Sequence, residues 1–122
     1  MLNDFMKSSK AISDETRVRI LKLLEHRELC VCQLMAILEM GQSTVSKHLG
    51  ILKTAGLVEV RKDWTWSFYK LSKEGRNTYN RNFLKFLSSV LNDDSLILKD
   101  EERLREVIKK DIRILCNAGK SK

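Results

Sequence analysis

The sequence contains no proline and only five glycines among its 122 residues. Proline breaks the interior of a helix and glycine weakens it, so a chain poor in both favours helices joined by short turns. The same composition disfavours a collagen, a mucin-like stalk and a sandwich of many strands. With 43% hydrophobic residues, the chain can bury one core of ordinary size.

Long apolar runs are also missing. No stretch approaches the roughly 18–20 apolar residues that span a bilayer, and the first residues do not show the charged and then apolar pattern of a secretory signal. We therefore expect no membrane partner and a cytoplasmic location, where thiols stay reduced. The three cysteines then indicate reactivity or metal ligation, and a disulfide framework is not expected.

Acidic residues are scarce in one part of the chain. The net charge is +7 and the isoelectric point is near 9.5. Between residues 40 and 90 there are nine basic and three acidic side chains, whereas the rest of the chain is nearly balanced, with 14 basic and 13 acidic. The excess positive charge therefore lies in one stretch, which indicates an anionic partner such as nucleic acid.

Apolar periodicity predicts six helices and one hairpin. The predicted helices cover residues 2–12, 14–26, about 30–39, 42–54, 73–91 and 100–116, with Ser13 and Ser72 as N-caps and Gly56 as a left-handed C-terminal residue. The predicted strands cover residues 57–61 and 66–71, with a turn at residues 62–65. A helix–turn–helix followed by a two-stranded hairpin is the winged-helix arrangement, so we expect a mainly α fold with a small β-hairpin.

The helix at residues 42–54 has an outer face suited to a DNA groove. Val45, Leu49 and Leu52 fall on one side of a helical wheel, and small hydroxyl residues with Lys47 fall on the other, without an acidic residue. Basic residues and one tryptophan lie near the turn of the hairpin, where they can contact the DNA backbone. The residues predicted to contact DNA are Gln42, Ser43, Thr44, Ser46, Lys47 and His48 in the helix and Arg61, Lys62 and Trp64 in the hairpin.

Two of these residues have an alternative interpretation. His48 lies near the apolar side of the wheel, so a local hydrogen bond is a competing role for its imidazole. Trp64 could instead pack against the neighbouring strand.

Three segments resemble the ArsR/SmtB family of bacterial repressors. They are residues 13–24 (Ser-Asp-Glu-Thr-Arg-Val-Arg-Ile-Leu-Lys-Leu-Leu), residues 42–49 (Gln-Ser-Thr-Val-Ser-Lys-His-Leu) and residues 71–76 (Leu-Ser-Lys-Glu-Gly-Arg). One departure is Glu15, where many members have proline. The resemblance implies a homodimer built on the first and fifth helices, which binds an inverted-repeat operator and leaves it when an effector binds. We expect residues 1–95 to form this DNA-binding and dimerisation unit and residues 96–122 to form a C-terminal helical extension.

The start of the third helix resembles the arsenic-responsive branch of that family. The Cys-Val-Cys sequence at Cys30 and Cys32 implies binding of trivalent arsenic or antimony as an effector, with no cofactor required for folding. Soft thiolates prefer soft ions, and a helix N-terminus is expected to lower the pKa of a thiol. Many members with this motif have a third cysteine where this chain has Met35. Cys116 is a candidate third ligand, although it could also be a small apolar residue packed at a helix end.

Helical geometry suggests how an ion could act at this pair. Side chains two residues apart on a regular helix point to nearly opposite sides, so one ion held by Cys30 and Cys32 is expected to unwind the first turn of the third helix. That change would move the neighbouring recognition helix out of register with DNA.

Other functions remain open. The same cysteines could respond to oxidants or persulfides, or the protein could respond to a different metal or to no effector. A zinc or nickel site on the long helix is disfavoured because residues 73–91 contain no His or Asp. A thiol-exchange enzyme would need a Cys-x-x-Cys sequence, which is missing, so we expect no enzyme. A protein-interaction module that no longer binds DNA is disfavoured by the acid-free face of the fourth helix.

Overall fold

The computed structural model describes residues 1–73 and 78–120, and within them it contains seven α-helices and three strands. The helices are α1 (Leu2–Ala11), α2 (Glu15–Leu24), α3 (Val31–Leu38), α4 (Gln42–Thr54), α5 (Thr78–Ser88), α6 (Ser95–Val107) and α7 (Ile112–Lys120). The strands are β1 (Leu29–Cys30), β2 (Val58–Asp63) and β3 (Trp66–Leu71). None of the helices in these ranges is both long enough and apolar enough to cross a bilayer.

The first four helices agree closely with their predicted positions. α4 begins at Gln42 and ends at Thr54, as predicted, and Gly56 follows it with φ of 80°. The cap of α2 differs by one residue: Asp14, and not Ser13, is the N-cap, and its carboxylate accepts a hydrogen bond from the Arg17 N–H at 3.0 Å. This hydrogen bond is the main reason why the pKa of Asp14 lies below its usual value.

The sheet has one strand more than predicted. β2 and β3 form the expected hairpin, but β2 continues to Asp63, which pairs with Trp66, so the turn has two residues and not four. β1 pairs antiparallel with β3, with Leu29 opposite Tyr69 and Cys30 opposite Phe68, which gives the strand order β1-β3-β2. A two-residue strand is too short to show a period of two in the sequence.

The predicted helix over residues 73–91 is only partly matched, because α5 spans Thr78–Ser88 and residues 74–77 lie outside the described part of the chain. The predicted role of Ser72 as its N-cap involves residues outside the described part of the chain and stays a prediction. The Ser72 hydroxyl donates to the Gly56 carbonyl at 2.8 Å, which ties the end of the hairpin to the end of α4.

The prediction of one helix over residues 100–116 is wrong. Two helices cover this region, α6 and α7, separated by residues 108–111. Asp111 directly precedes α7, and its carboxylate accepts a hydrogen bond from the Arg113 N–H at 2.8 Å. This local contact competes with the backbone hydrogen bonds that would continue α6 into α7. The break allows α7 to turn back and pack against α3. The predicted boundary between residues 95 and 96 falls at the start of α6, and its status as a domain boundary stays a prediction.

The core is built around α2, α3 and α4. The inward face predicted for α4 is confirmed, since Val45, Leu49 and Leu52 are fully buried. α6 adds Leu104 and Val107 to the same core. The C-terminal helices therefore pack directly on the core helices: α6 contacts α2 and α3, and α7 contacts α3.

A buried ion pair joins α2 to α6. The Arg19 guanidinium donates to both carboxylate oxygens of Asp100 at 2.9 Å, and Asp100 is 2% exposed. The hydrogen bond to Asp100 is the main cause that raises the pKa of Arg19. Removal of Arg19 or Asp100 would leave the charge of the other side chain unpaired and largely shielded from water, which destabilises the fold.

We predict that Asp100→Ala lowers the free energy of unfolding by about 3 kcal/mol, because it leaves Arg19 charged and unpaired. Asp93→Ala, in an exposed loop, serves as the control and should change it by less than about 0.5 kcal/mol. Urea denaturation followed by circular dichroism measures both. A loss for Asp100→Ala as small as that of the control would contradict the buried-pair interpretation.

Candidate DNA-binding face and cysteine cluster

The outer face of α4 is open. The side chains predicted to enter a groove are exposed at Gln42, Ser43, Thr44, Ser46 and Lys47. A Cβ added to Gly50, in the middle of this face, would meet no atom within 4 Å. Small hydroxyl groups and a lysine on such a face can approach base edges and phosphates closely.

His48 is turned away from this face. Its Nδ1 lies 3.1 Å from the Arg17 guanidinium and 3.9 Å from the Asp14 carboxylate, and its side chain is 16% exposed. Arg17 also donates to the Ala11 carbonyl at 2.7 Å, at the end of α1. The geometry therefore favours the local hydrogen-bonding role of His48 over the predicted contact with DNA.

In the hairpin, Arg61 is engaged within the protein. Its guanidinium forms an ion pair with Glu28 and lies 4.7 Å from the centre of the Phe68 ring. The hydrogen bond from Arg61 lowers the pKa of Glu28. Lys62, the next residue, is exposed. A contact of Arg61 with DNA stays a prediction and would have to compete with Glu28 for the guanidinium.

Trp64 is at the tip of the hairpin with φ of 58°, in the left-handed region. Its side chain is 84% exposed. The Trp64 ring packs edge-on against the Trp66 ring, with the ring centroids 5.8 Å apart and the ring planes at 76°. Trp64 thus has a partner on the neighbouring strand and still presents most of its indole to solvent.

The three cysteines lie together at the start of α3. The sulfurs of Cys30, Cys32 and Cys116 are all within 4.8 Å of one another. Cys116 comes from α7, and its Cα is 5.2 Å from that of Cys32, with the two sulfurs at disulfide-bonding distance. The sequence named Cys116 as a candidate third ligand, and the structure places it in the cluster. A disulfide was not expected, and the pairing of Cys32 with Cys116 differs from that expectation. The break before α7 that brings Cys116 back to α3 was not predicted.

The premise that Cys30 and Cys32 both lie on a regular helix is wrong, and the expected unwinding or re-angling of α3 by a shared ion stays a prediction. Cys30 precedes the helix as its N-cap, with an extended backbone at φ −88° and ψ 167°. Its N–H donates to the side-chain oxygen of Gln33 at 2.9 Å, and its sulfur accepts from the Gln33 N–H, which is a capping box. Because Cys30 is not in the helix, its sulfur reaches the same side as that of Cys32 while α3 stays intact.

The expected lowering of the thiol pKa is not found at Cys30. Burial raises the pKa of the Cys30 thiol, because the side chain is 1% exposed, and this outweighs the opposing effect of backbone N–H groups of Gln33 and Cys32.

A pocket of about 150 Å³ adjoins the cluster. It reaches Gln42 at the start of α4 and Thr65, Trp66 and Ser67 in the hairpin, and Met35 also lines it. The described residues that line this pocket carry no charged side chain. The cysteine cluster therefore borders both elements that are predicted to contact DNA, a proximity that the sequence could not reveal because it is set by the tertiary fold.

Comparison with known proteins identifies the family. Residues 14–60 match the family model described as bacterial regulatory protein, arsR family. The structure of HlyU from Vibrio cholerae is similar, with 34% identity, 73% of this chain and 92% of that chain covered, and a TM-score of 0.62. This chain belongs to the arsR family. The family is one of DNA-binding transcriptional regulators and not of enzymes.

Two further relatives of this arsR-family chain are informative. The arsenical resistance operon repressor of Escherichia coli (strain K12) is 45% identical over 64 residues, which are 52% of this chain and 55% of the repressor. The homodimeric winged helix-turn-helix DNA-binding domain of a possible ArsR-family regulator from Mycobacterium bovis is 26% identical, with 77% of this chain and 83% of that domain covered and a TM-score of 0.64. The winged helix-turn-helix fold predicted from the sequence is confirmed.

We predict that Gly50→Ala stabilises the protein and weakens DNA binding. Alanine in an open helix interior adds about 0.5–1 kcal/mol of stability, whereas the methyl group would hold the face away from a groove. Gly50→Glu should weaken binding much further, because its charge faces phosphates. Thermal unfolding and fluorescence anisotropy with duplex DNA measure the two effects. Unchanged DNA binding in both variants would remove this face from the interface.

Proposed function

We propose that this chain is a cytoplasmic transcriptional repressor that binds an inverted-repeat operator as a homodimer and is released by trivalent arsenic or antimony. The thiolates of Cys30, Cys32 and Cys116 would bind the effector. The observation that carries this proposal is the cluster of three sulfurs beside both predicted DNA-contacting elements.

Support for operator binding comes from the exposed, acid-free face of α4 and from the hairpin. α4 would lie in the major groove, with Ser43, Ser46 and Lys47 toward base edges and phosphates. Lys62 and Trp64 would follow the DNA backbone beside it. The positive charge concentrated between residues 40 and 90 supplies the attraction.

Support for a homodimer comes from apolar side chains left exposed on α1 and α5. Leu2, Phe5, Met6 and Phe86 are exposed by 74%, 40%, 42% and 66%. The Phe5 ring meets Tyr79 at a centroid distance of 5.4 Å, so the two helices form one apolar surface. Such a surface marks a protein interface, and the similar domain from Mycobacterium bovis is homodimeric. A two-fold dimer fits an inverted repeat.

Support for the effector comes from the donor set. All three sulfurs lie within 4.8 Å of one another. In the reduced protein the Cys32 and Cys116 sulfurs, which are at bonding distance here, would separate to hold one ion together with Cys30. Arsenite and three thiols condense to an uncharged arsenic tris-thiolate and three waters. A divalent ion held by three thiolates would instead leave a net negative charge. The uncharged lining of the pocket therefore favours the trivalent ion.

Release would arise next to the cluster. A ligand in the cluster and its pocket changes the space available to Gln42 and Trp66, which belong to the two DNA-contacting elements. A coupling free energy of about 1–3 kcal/mol between effector and operator would change operator affinity roughly 5- to 150-fold.

A second candidate is a repressor that responds to oxidants. The disulfide-bonding distance between Cys32 and Cys116 favours it. Two thiols and one peroxide would give a disulfide and two molecules of water or alcohol. Release of DNA by peroxide, with no response of the reduced protein to arsenite, would select this candidate over the first.

We predict that Cys116→Ser lowers the number of thiols bound per arsenic from three to two and weakens arsenite binding at least tenfold, because one ligand is lost. Ultraviolet titration of the reduced protein counts sulfur–arsenic bonds. Met35→Leu, which keeps the volume of a pocket-lining side chain, is the control and should bind arsenite like the wild type. Arsenite affinity and sulfur–arsenic absorbance equal to those of the wild type in Cys116→Ser would exclude Cys116 as a ligand.

We predict that Lys47→Ala weakens operator binding and reduces the slope of log affinity against log salt by about one per subunit, or about two for the homodimer, because each subunit loses one phosphate contact. Lys99→Ala, exposed on α6, should leave the slope unchanged. Fluorescence anisotropy at several salt concentrations gives both slopes. If the slope of Lys47→Ala equals that of the wild type, Lys47 does not contact a phosphate.

A further inference from the structure

The C-terminal helices contact α3 at both of its ends. α7 brings Cys116 to the first turn of α3, beside Cys32. α6 reaches the last turn through Arg103, whose Nη1 donates to the Ile37 carbonyl at 3.3 Å and to the Glu39 carboxylate. One helical hairpin thus touches both the cysteine cluster and the start of the turn between α3 and α4.

Glu39 has a special place in that turn. It is the C-cap of α3, with φ 56° and ψ 46°, a left-handed conformation that residues other than glycine rarely adopt. The chain enters α4 three residues later, so the conformation at Glu39 helps to set the angle between α3 and α4. The hydrogen bond from Arg103 is the main cause that lowers the pKa of Glu39.

α6 is attached to the core near Arg103. The ion pair between Arg19 and Asp100 attaches it to α2, and Arg103 lies about one helical turn further along. Leu104 and Val107 hold the same part of α6 in the core. α6 and α7 both pack against α3, and residues 108–111 connect them directly. A restraint applied to α7 at Cys116 would therefore act on α6 through α3 and this short connection.

We propose that Arg103 is a positioning residue that transmits occupancy of the cysteine cluster to the turn between α3 and α4. The proposal rests on the effector response proposed above. A ligand that joins Cys116 to Cys30 and Cys32 fixes α7 against α3, and α6 carries the restraint to Glu39 through the guanidinium. The effector and operator sites would then be linked through the two ends of α3. Allosteric coupling requires that the contact of Arg103 with Glu39 differ between the effector-bound and effector-free states.

This role differs measurably from a structural one. The pair of Arg103 with Glu39 is partly exposed, with side chains 33% and 70% accessible, so it adds little to global stability. If Arg103 only supported the fold, its loss would weaken operator binding by the same factor with and without arsenite. If Arg103 transmits the response, the ratio of the two affinities changes.

The experiment compares Arg103→Met with Arg105→Met, an exposed position on the same helix. The probes are sodium arsenite and a DNA duplex selected for binding to the wild-type protein. Anisotropy of the labelled duplex gives operator affinity with and without arsenite, and sulfur–arsenic absorbance gives occupancy of the cluster. We expect Arg103→Met to bind arsenite like the wild type, while the fold-change in operator affinity drops to less than a third of the wild-type value. Arg105→Met should retain the full fold-change.

Glu39→Ala removes the acceptor of the Arg103 guanidinium and should reduce the fold-change similarly; it decides the question if Arg103→Met does not fold. A wild-type fold-change in both Arg103→Met and Glu39→Ala would overturn the role of Arg103 and leave the proposed function standing. Absence of sulfur–arsenic absorbance in the reduced wild type would overturn the proposed function, and the role of Arg103 with it.

Discussion

The extended backbone at Cys30 is the constraint on which the candidate site depends. Pairing of β1 with β3 holds this residue outside α3, and Gln33 closes the capping box from within the helix. If α3 began one residue earlier, the sulfurs of Cys30 and Cys32 would point to different sides. The hairpin that is expected to touch DNA therefore also fixes the position of Cys30, so the predicted DNA contact and the proposed effector site share strand β3.

The candidate site also depends on the break between α6 and α7. The apolar stripe of residues 104–115 continues across it, and one long helix would have carried Cys116 away from the helix–turn–helix. The Asp111 carboxylate instead caps a new start through the Arg113 N–H. This local hydrogen bond favours the break, and packing of α7 on α3 places the third sulfur in the cluster, while α6 contacts α2 and α3.

The parts of the fold that the sequence predicted are those set by local patterns. α4 has a clear period of 3.6 residues and a glycine at its end, and its bounds were predicted to the residue. The third strand was missed because two residues have no periodicity, and the break before α7 was missed because the apolar stripe hides it. The cysteine pair was recognised from its motif, whereas its closeness to Gln42 and Trp66 follows from packing between distant segments. The engagement of Arg61 by Glu28 was equally invisible in the sequence, since 33 positions separate the two residues.

The 84 positions between Cys32 and Cys116 also have a consequence for the order of events during synthesis. At about 5–20 residues per second, the ribosome delivers α4 and the hairpin several seconds before α7. In a nascent chain, α4 and the hairpin are therefore made before Cys116. If Cys116 is a ligand as proposed, a chain cut short before α7 would keep the elements predicted to contact DNA and lack the third sulfur of the cluster.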